Sequence, residues 1–180
     1  MAQRYRLDAG GSIISADAPG APTAAFMVRH PAHLIALGAG AGLVPGAPGT
    51  AGTLAAFALY WALAAVCTAP TLLALIALGF ALGVWACART GRALGIYDHG
   101  AIVWDEIVAF MLVLLFTPEG LLWQAFAFLL FRLFDILKPP PIRYYDRTLR
   151  NGFGVMFDDL LAAFYTLLVL AVAKMLLAAG

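Results

Sequence analysis

The stretch "TLLALIALGFALGVWACA", residues 71–88, decides the fold. It runs 18 residues without a charge, and Arg89 and Arg92 follow it. Crossing a bilayer core takes about 20 predominantly apolar residues, with a range of roughly 17 to 25. The stretch is therefore a candidate membrane helix with a basic end. The composition agrees, with 63% hydrophobic and 12% charged residues over 180 positions. An ordinary soluble domain is about half apolar and roughly a quarter charged. The chain thus reads as an integral membrane protein, long enough for one domain. Its net charge of +1 points to no partner by itself, and no nucleic-acid partner is expected. Cys67 and Cys87 both lie in apolar runs and read as buried thiols. No CxxC spacing or Cys/His cluster suggests zinc.

Outward from residues 71–88, four more apolar segments appear, at 54–67, 107–116, 121–137 and 160–177. The segments at 71–88, 121–137 and 160–177 are long enough to span. Those at 54–67 and 107–116 are short, and would be tilted or completed by polar ends buried in protein. "LIALGAGAGL", residues 34–43, is too short and Gly-rich to span. The expectation is an all-α, polytopic membrane protein of about four to five apolar helices, with a Gly/Pro-rich re-entrant or interfacial loop. The alternative is three or four spans. Residues 1–29 read as a flexible cytoplasmic tail, with no apolar core of a signal peptide, and residues 30–180 as a single helical membrane domain.

The joins alternate in character. "TAP" at 68–70 is uncharged and "TPEG" at 117–120 carries only Glu119. The other joins hold Arg29, Arg89, Arg92, Arg132, Lys138, Arg143, Arg147 and Arg150, while Lys174 alone falls near the opposite end. The positive-inside rule places the N-terminus and the charged joins in the cytoplasm. All polar sequence able to do chemistry then lies on one face of the membrane.

Four polar stretches stand out there. In "GAGAGLVPGAPGTAGT", 38–53, glycine permits close backbone approach and the prolines block a continuous helix. Thr50 or Thr53 is a candidate cap for the helix that follows, whose free N–H groups suit a phosphate. It is not a P-loop, because GK[ST] is absent. In "YDHGAIVWDEIVAF", 97–110, Asp98 and His99 fall in a turn, and Asp105 and Glu106 near the start of a helix. Carboxylates there favour the positive dipole end; ionised residues at membrane depth are also costly and usually functional. Adjacent helical residues point about 100° apart, so one acid can bind while the other orients. In "FRLFDILKPPPIRYYDRTLR", 131–150, Arg132, Asp135 and Lys138 are each three apart and can share one helical face. This is either a structural ladder or an acid between two phosphate-binding cations. In "NGFGVMFDDLLAAF", 151–164, Asp158 and Asp159 open the last helix, where acids are also ordinary caps.

Taken together, Asp105, Glu106, Asp135, Asp158 and Asp159 are five acids at the cytoplasmic ends of three apolar helices. If the helices bundle, clustered carboxylates in a low-dielectric setting need a cation. An all-oxygen set favours Mg²⁺ or a similar hard ion. Nearby Arg and Lys favour an anionic substrate such as a phosphate. This points to phosphoryl chemistry on a lipid head group.

With these four motifs in this order, the chain resembles the phosphatidylglycerophosphatase A family over residues 30–164. The matching stretches are "HPAHLIALGAGAGLVPGAPGTAGT", "YDHGAIVWDEIVAF", "FRLFDILKPPPIRYYDR" and "GFGVMFDDLLAA". The resemblance implies an all-helical enzyme of the bacterial cytoplasmic (inner) membrane, multi-pass, with its site on the cytoplasmic face. It would hydrolyse phosphatidylglycerophosphate to phosphatidylglycerol and require Mg²⁺. The family's motif positions fall on Asp105, Glu106, Arg132, Asp135, Lys138, Asp158 and Asp159. DxDG, CxxxxxR, PSGH and DGxxAR signatures of other phosphate enzymes are absent.

On this reading Asp105, Glu106, Asp135, Asp158 and Asp159 supply metal ligands. Glu106, Asp105, Asp135 and Asp159 form the catalytic set, with Glu106 a candidate base. Arg132, Lys138, Arg143, Thr50 and Thr53 face the phosphate. Water attack and an aspartyl-phosphate are both open. Trp104, Tyr144 and Tyr145 read as interfacial anchors, and His33 and His99 as satisfied structural histidines. The partners are the phospholipid substrate and membrane lipids; nothing in the pattern specifies an oligomer. The competing class is a small transporter or channel with intramembrane acids, against which stand the nearly bare outer ends. A scaffold subunit, tolerant of Asn or Gln at the acids, is a third.

Overall fold

The computed structural model describes residues 21–179 and two short strands, β1 (Tyr5–Leu7) and β2 (Ile13–Ser15), paired antiparallel. The expected flexible tail falls largely outside the described residues. From Ala24 on, every regular element is helical. α1 (Ala24–Met27) and α2 (Pro31–Ala36) lead into a 3₁₀ segment, Gly38–Leu43. α3 (Pro48–Ala64), α4 (Ala69–Leu94), α5 (Trp104–Phe116) and α6 (Leu121–Leu137) follow, then the short α7 (Ile142–Thr148) and α8 (Gly152–Ala179).

Local chemistry sets the ends. Pro48 takes the first position of α3, where a missing N–H costs nothing. Gly95 closes α4 in the left-handed conformation that glycine adopts without a Cβ penalty. His30 caps α2, its Nδ1 accepting from Ala32 N at 3.0 Å. Asn151 caps α8 by accepting from Gly154 N at 2.9 Å.

α5, the shortest of the five long apolar helices, is the centre of the bundle. Eight of its 13 residues are buried, including Asp105, Phe110 and Val113. It packs against α3, α4, α6 and α8. Phe110 and Phe131, both fully buried, join α5 to α6 with ring centroids 5.3 Å apart. The surrounding helices turn apolar faces outward: Leu122, Leu129 and Leu168 are 87%, 65% and 50% exposed. A water-soluble protein seldom exposes so continuous an apolar surface. α4 and α8 are long and apolar enough to cross a membrane, and only 28% and 22% of their most apolar windows are buried. α3 and α6, with 17 residues each, and α5 are shorter.

The Gly/Pro-rich stretch is a compact turn held against the start of α5. Val103 N donates to Ala36 O at 2.9 Å. A Cβ at Gly42 would overlap the Ala101 carbonyl, so this approach requires glycine. Three local expectations change. Thr50 and Thr53 lie inside α3 rather than capping it, because Pro48 starts the helix earlier. Asp158 and Asp159 sit in the second turn of α8, because Asn151 supplies its cap. Trp104 is no interfacial anchor: its indole donates to Gly79 O in the middle of α4 at 2.9 Å.

Candidate active site

The polar groups gather where the N-terminal ends of α3, α5 and α8 meet the C-terminal end of α6. Asp105 and Glu106 occupy the first turn of α5, where the helix dipole favours carboxylates. Arg132, near the end of α6, joins two acids. Its Nη1 donates to Glu106 Oε1 at 2.9 Å and lies 2.8 Å from Asp135 Oδ2. The same Nη1 is 3.5 Å from Thr53 Oγ1. Thr53 is fully buried and donates its hydroxyl to Gly49 O at 2.9 Å. The Glu106 carboxylate rests on the first turns of α3, and a Cβ at Gly49 would overlap it. Gly49 thus makes room for an acid at a helix start.

Lys138 does not continue the Arg132–Asp135 face. It ends α6 in the left-handed region, φ 44°, with three prolines following. That turn carries its ammonium to Asp146 Oδ1 at 2.6 Å and to Asp158 Oδ2. The expected single ladder is therefore two separate clusters, because the helix stops before Lys138 can stack on Asp135. Burial alone would lower the Lys138 pKa, but Asp158 and Asp146 outweigh it and hold the ammonium well above its ordinary value.

Asp105, Asp158 and Asp159 are all buried. Asp159 lies within Coulombic range of Asp135, Asp105, Asp158 and Glu106. Among the described residues, four buried side-chain atoms lack a hydrogen-bond partner: Asp105 Oδ1, Glu106 Oε2, Asp159 Oδ2 and Arg132 Nε. Buried polar atoms are normally paired, and these three acceptors and one donor belong to one site. The oxygens suit a hard cation. No set of three or more Asp, Glu, His or Cys side chains is gathered to hold one ion among the described residues. Mg²⁺ is commonly held by one or two carboxylates plus waters and phosphate oxygens, so the donor set fits that ion without a closed cage.

The remaining predicted residues stand further out. Thr50 is half-buried in the first turn of α3. Arg143 is exposed and donates to Leu137 O at 3.0 Å, closing the end of α6. Tyr144 is exposed and Tyr145 half-buried against Phe157. His33 is buried and bonded to Thr90 at 2.9 Å, tying α2 to α4, and burial lowers its pKa. His99 Nδ1 accepts from Ala101 N at 3.1 Å. Sequence reasoning missed two members. Asp146 in "YYDR" is the second partner of Lys138. Asp98 in "YDHG" reaches solvent at the mouth; surrounding protein raises its pKa, while Lys138 opposes this. Each lay in a quoted motif, yet only the fold brings them beside Lys138.

The pattern of one known family, described as phosphatidylglycerophosphatase A, matches residues 34–174. The chain belongs to the phosphatidylglycerophosphatase A family. A phosphatidylglycerophosphatase A of Haemophilus influenzae is 47% identical over 150 residues, covering 82% of this chain and 91% of that one. Another phosphatidylglycerophosphatase A, from Escherichia coli K12, is 40% identical over 136 residues, covering 75% and 78%. A Bacteroides thetaiotaomicron relative, named putative phosphatidylinositol-3-phosphatase, is 39% identical over 148 residues, covering 78% and 92%. No solved structure matches the chain. Family membership and the two apolar helices indicate membrane association. Nothing among the relatives favours the transporter alternative.

Proposed function

We propose that this protein hydrolyses the terminal phosphomonoester of phosphatidylglycerophosphate, giving phosphatidylglycerol and inorganic phosphate. The activity is the one named for the 47% and 40% identical relatives. The supporting observation in the chain itself is the set of partnerless buried atoms on Asp105, Glu106, Asp159 and Arg132. Acceptors for a cation and a donor for a phosphate oxygen face one site at the end of an apolar bundle. The bundle sits in the bacterial inner membrane with α3, α4, α5, α6 and α8 within the bilayer and this site on the cytoplasmic face. Arg29, Arg89, Arg92, Arg143, Arg147 and Arg150 support that orientation.

Asp105 and Asp159 would hold Mg²⁺, with Glu106 beside them. Bound there, the ion would neutralise phosphate charge and acidify a water molecule. Arg132 presents its free Nε to a non-bridging phosphate oxygen, while Glu106 and Asp135 fix the guanidinium plane. Glu106, held at Oε1 by Arg132, keeps Oε2 without a partner and takes the proton from the attacking water. That proton passes to the glycerol oxygen as the P–O bond breaks. Lys138, already paired to Asp146 and Asp158, positions α7 and α8 rather than binding phosphate. Phosphate release from phosphatidylglycerophosphate by the purified protein, with Mg²⁺ and with chelator, tests the reading. Metal-dependent release is expected; none in either condition overturns it.

A further inference from the structure

We infer that the groove between α3 and α6 seats one acyl chain of the lipid substrate and thereby sets where its phosphate falls. The groove encloses about 540 Å³ and is lined by Leu54, Phe57 and Ala58 of α3 and Ala125, Phe128 and Leu129 of α6. All six are apolar. Residues three and four apart lie on one helical face. The α3 stripe therefore continues from Leu54 and Phe57 back to Thr50 and Thr53. The α6 stripe continues from Phe128 and Leu129 to Arg132. Those two stripes meet at the contact between Arg132 and Thr53. One turn further along each helix Phe57 and Phe128 keep their ring centroids 6.2 Å apart, and the groove they line lies on the side of that contact away from the polar cluster. Leu54 and Leu129 are 53% and 65% exposed, so its side is open to lipid.

An ester whose phosphate meets Arg132 has its chains within reach of this groove, which commits the occupant to a lipid tail. A second groove, between α4, α5 and α8, holds about 270 Å³ and is lined by Ala77 and Phe80 among others. Its Ala77 and Phe80 flank Gly79, on which the Trp104 indole is fixed, and none of the residues lining it is charged. Acyl chains are as apolar as the bilayer around them, so the groove supplies little transfer energy. What it supplies is position, which a misplacement on the order of 1 Å can cost about a hundred-fold in rate.

The inference rests on the phosphatase reading, and one experiment separates the two. Phosphatidylglycerophosphate carrying a mid-chain diazirine is photo-crosslinked to wild type, Ala58→Trp and Ala77→Trp in phosphatidylcholine vesicles, and phosphate release is followed in parallel. Ala58 and Ala77 are both exposed, so each variant is expected to fold. Crosslinks should concentrate on α3 and α6, and Ala58→Trp should abolish them. Its kcat/KM should fall about a hundred-fold, with Ala77→Trp near wild type. Labelling spread evenly over the lipid-facing helices would overturn the inference. So would the same pattern from a diazirine phosphatidylcholine, or unchanged kcat/KM in Ala58→Trp. Crosslinking at α3 and α6 without phosphate release would leave the groove standing and overturn the phosphatase reading.

Discussion

At the scale of single residues, the division between Asp105 and Glu106 is the point of interest. Adjacent in sequence, they meet different surroundings: Glu106 gives one oxygen to Arg132 and keeps the other without a partner, while Asp105 is more deeply buried and keeps its Oδ1 without one. Asp105→Asn and Asp159→Asn should each lower phosphate release at least a hundred-fold, on the order of removing a group that stabilises transition-state charge. Both should retain the helical circular dichroism of the parent; near-normal turnover would refute the assignment. Arg132→Lys should fall nearly as far as Arg132→Ala in the same assay, because an ammonium cannot hold two acids while presenting a further planar donor. This much was legible in "AIVWDEIVAF" as an anomaly, two acids in an apolar run. Which one takes the arginine was not legible, because the partner stands 26 positions away.

At the scale of elements, the joints are made of charge and of small residues. Lys138 fastens the end of α6 to α7 and α8 through Asp146 and Asp158. Removing one partner of a buried pair leaves the other uncompensated and costs roughly 3–5 kcal/mol. The Lys138 ammonium is partly exposed, so Lys138→Ala should cost less, on the order of 1–3 kcal/mol. Pairing it with Asp158→Asn should recover part of the loss, and a double-mutant cycle of thermal unfolding in detergent measures the coupling. Gly49→Ala should lower kcat at least ten-fold by driving Glu106 off α3, an order that follows from displacing charge-stabilising groups. Gly100→Ala, with open space at its Cβ, should match wild type in the same assay. Apolar runs announced these helices well, but their ends were less legible. Pro48 moved the start of α3 ahead of both threonines, and Asn151 moved α8 ahead of both aspartates. The periodicity of Arg132, Asp135 and Lys138 suggested one face. The prolines ended the helix and sent Lys138 to Asp146, a partner no local pattern discloses.

At the scale of the whole molecule, the separation of polar from apolar was legible throughout. A 63% hydrophobic chain with nearly all its cations at alternate joins leaves few arrangements open. Convergence of the acids was not, because it needs α5 at the centre and four helices around it. If the acids are a cation site, Mg²⁺ should raise the unfolding midpoint of the wild type by mass action. It should do so much less for Asp159→Asn. Equal shifts in a differential scanning measurement of both proteins would refute a role for Asp159 in holding the ion.

The brevity of α5 has a consequence for the bilayer itself. Its 13 residues rise about 20 Å at roughly 1.5 Å each, against a hydrocarbon core of about 30 Å. If α5 lies within the bilayer as proposed, with its C-terminal end at the far head groups, Asp105 and Glu106 at its first turn are held below the level of ordinary head groups. A lipid can deliver its phosphate there only by sinking, or where the surrounding leaflet thins to meet the protein. Mismatch of this kind costs fractions of a kcal/mol per Å. Turnover should therefore climb as the host acyl chains are shortened. Membrane thickness then becomes a control on catalysis, set by the length of one buried helix.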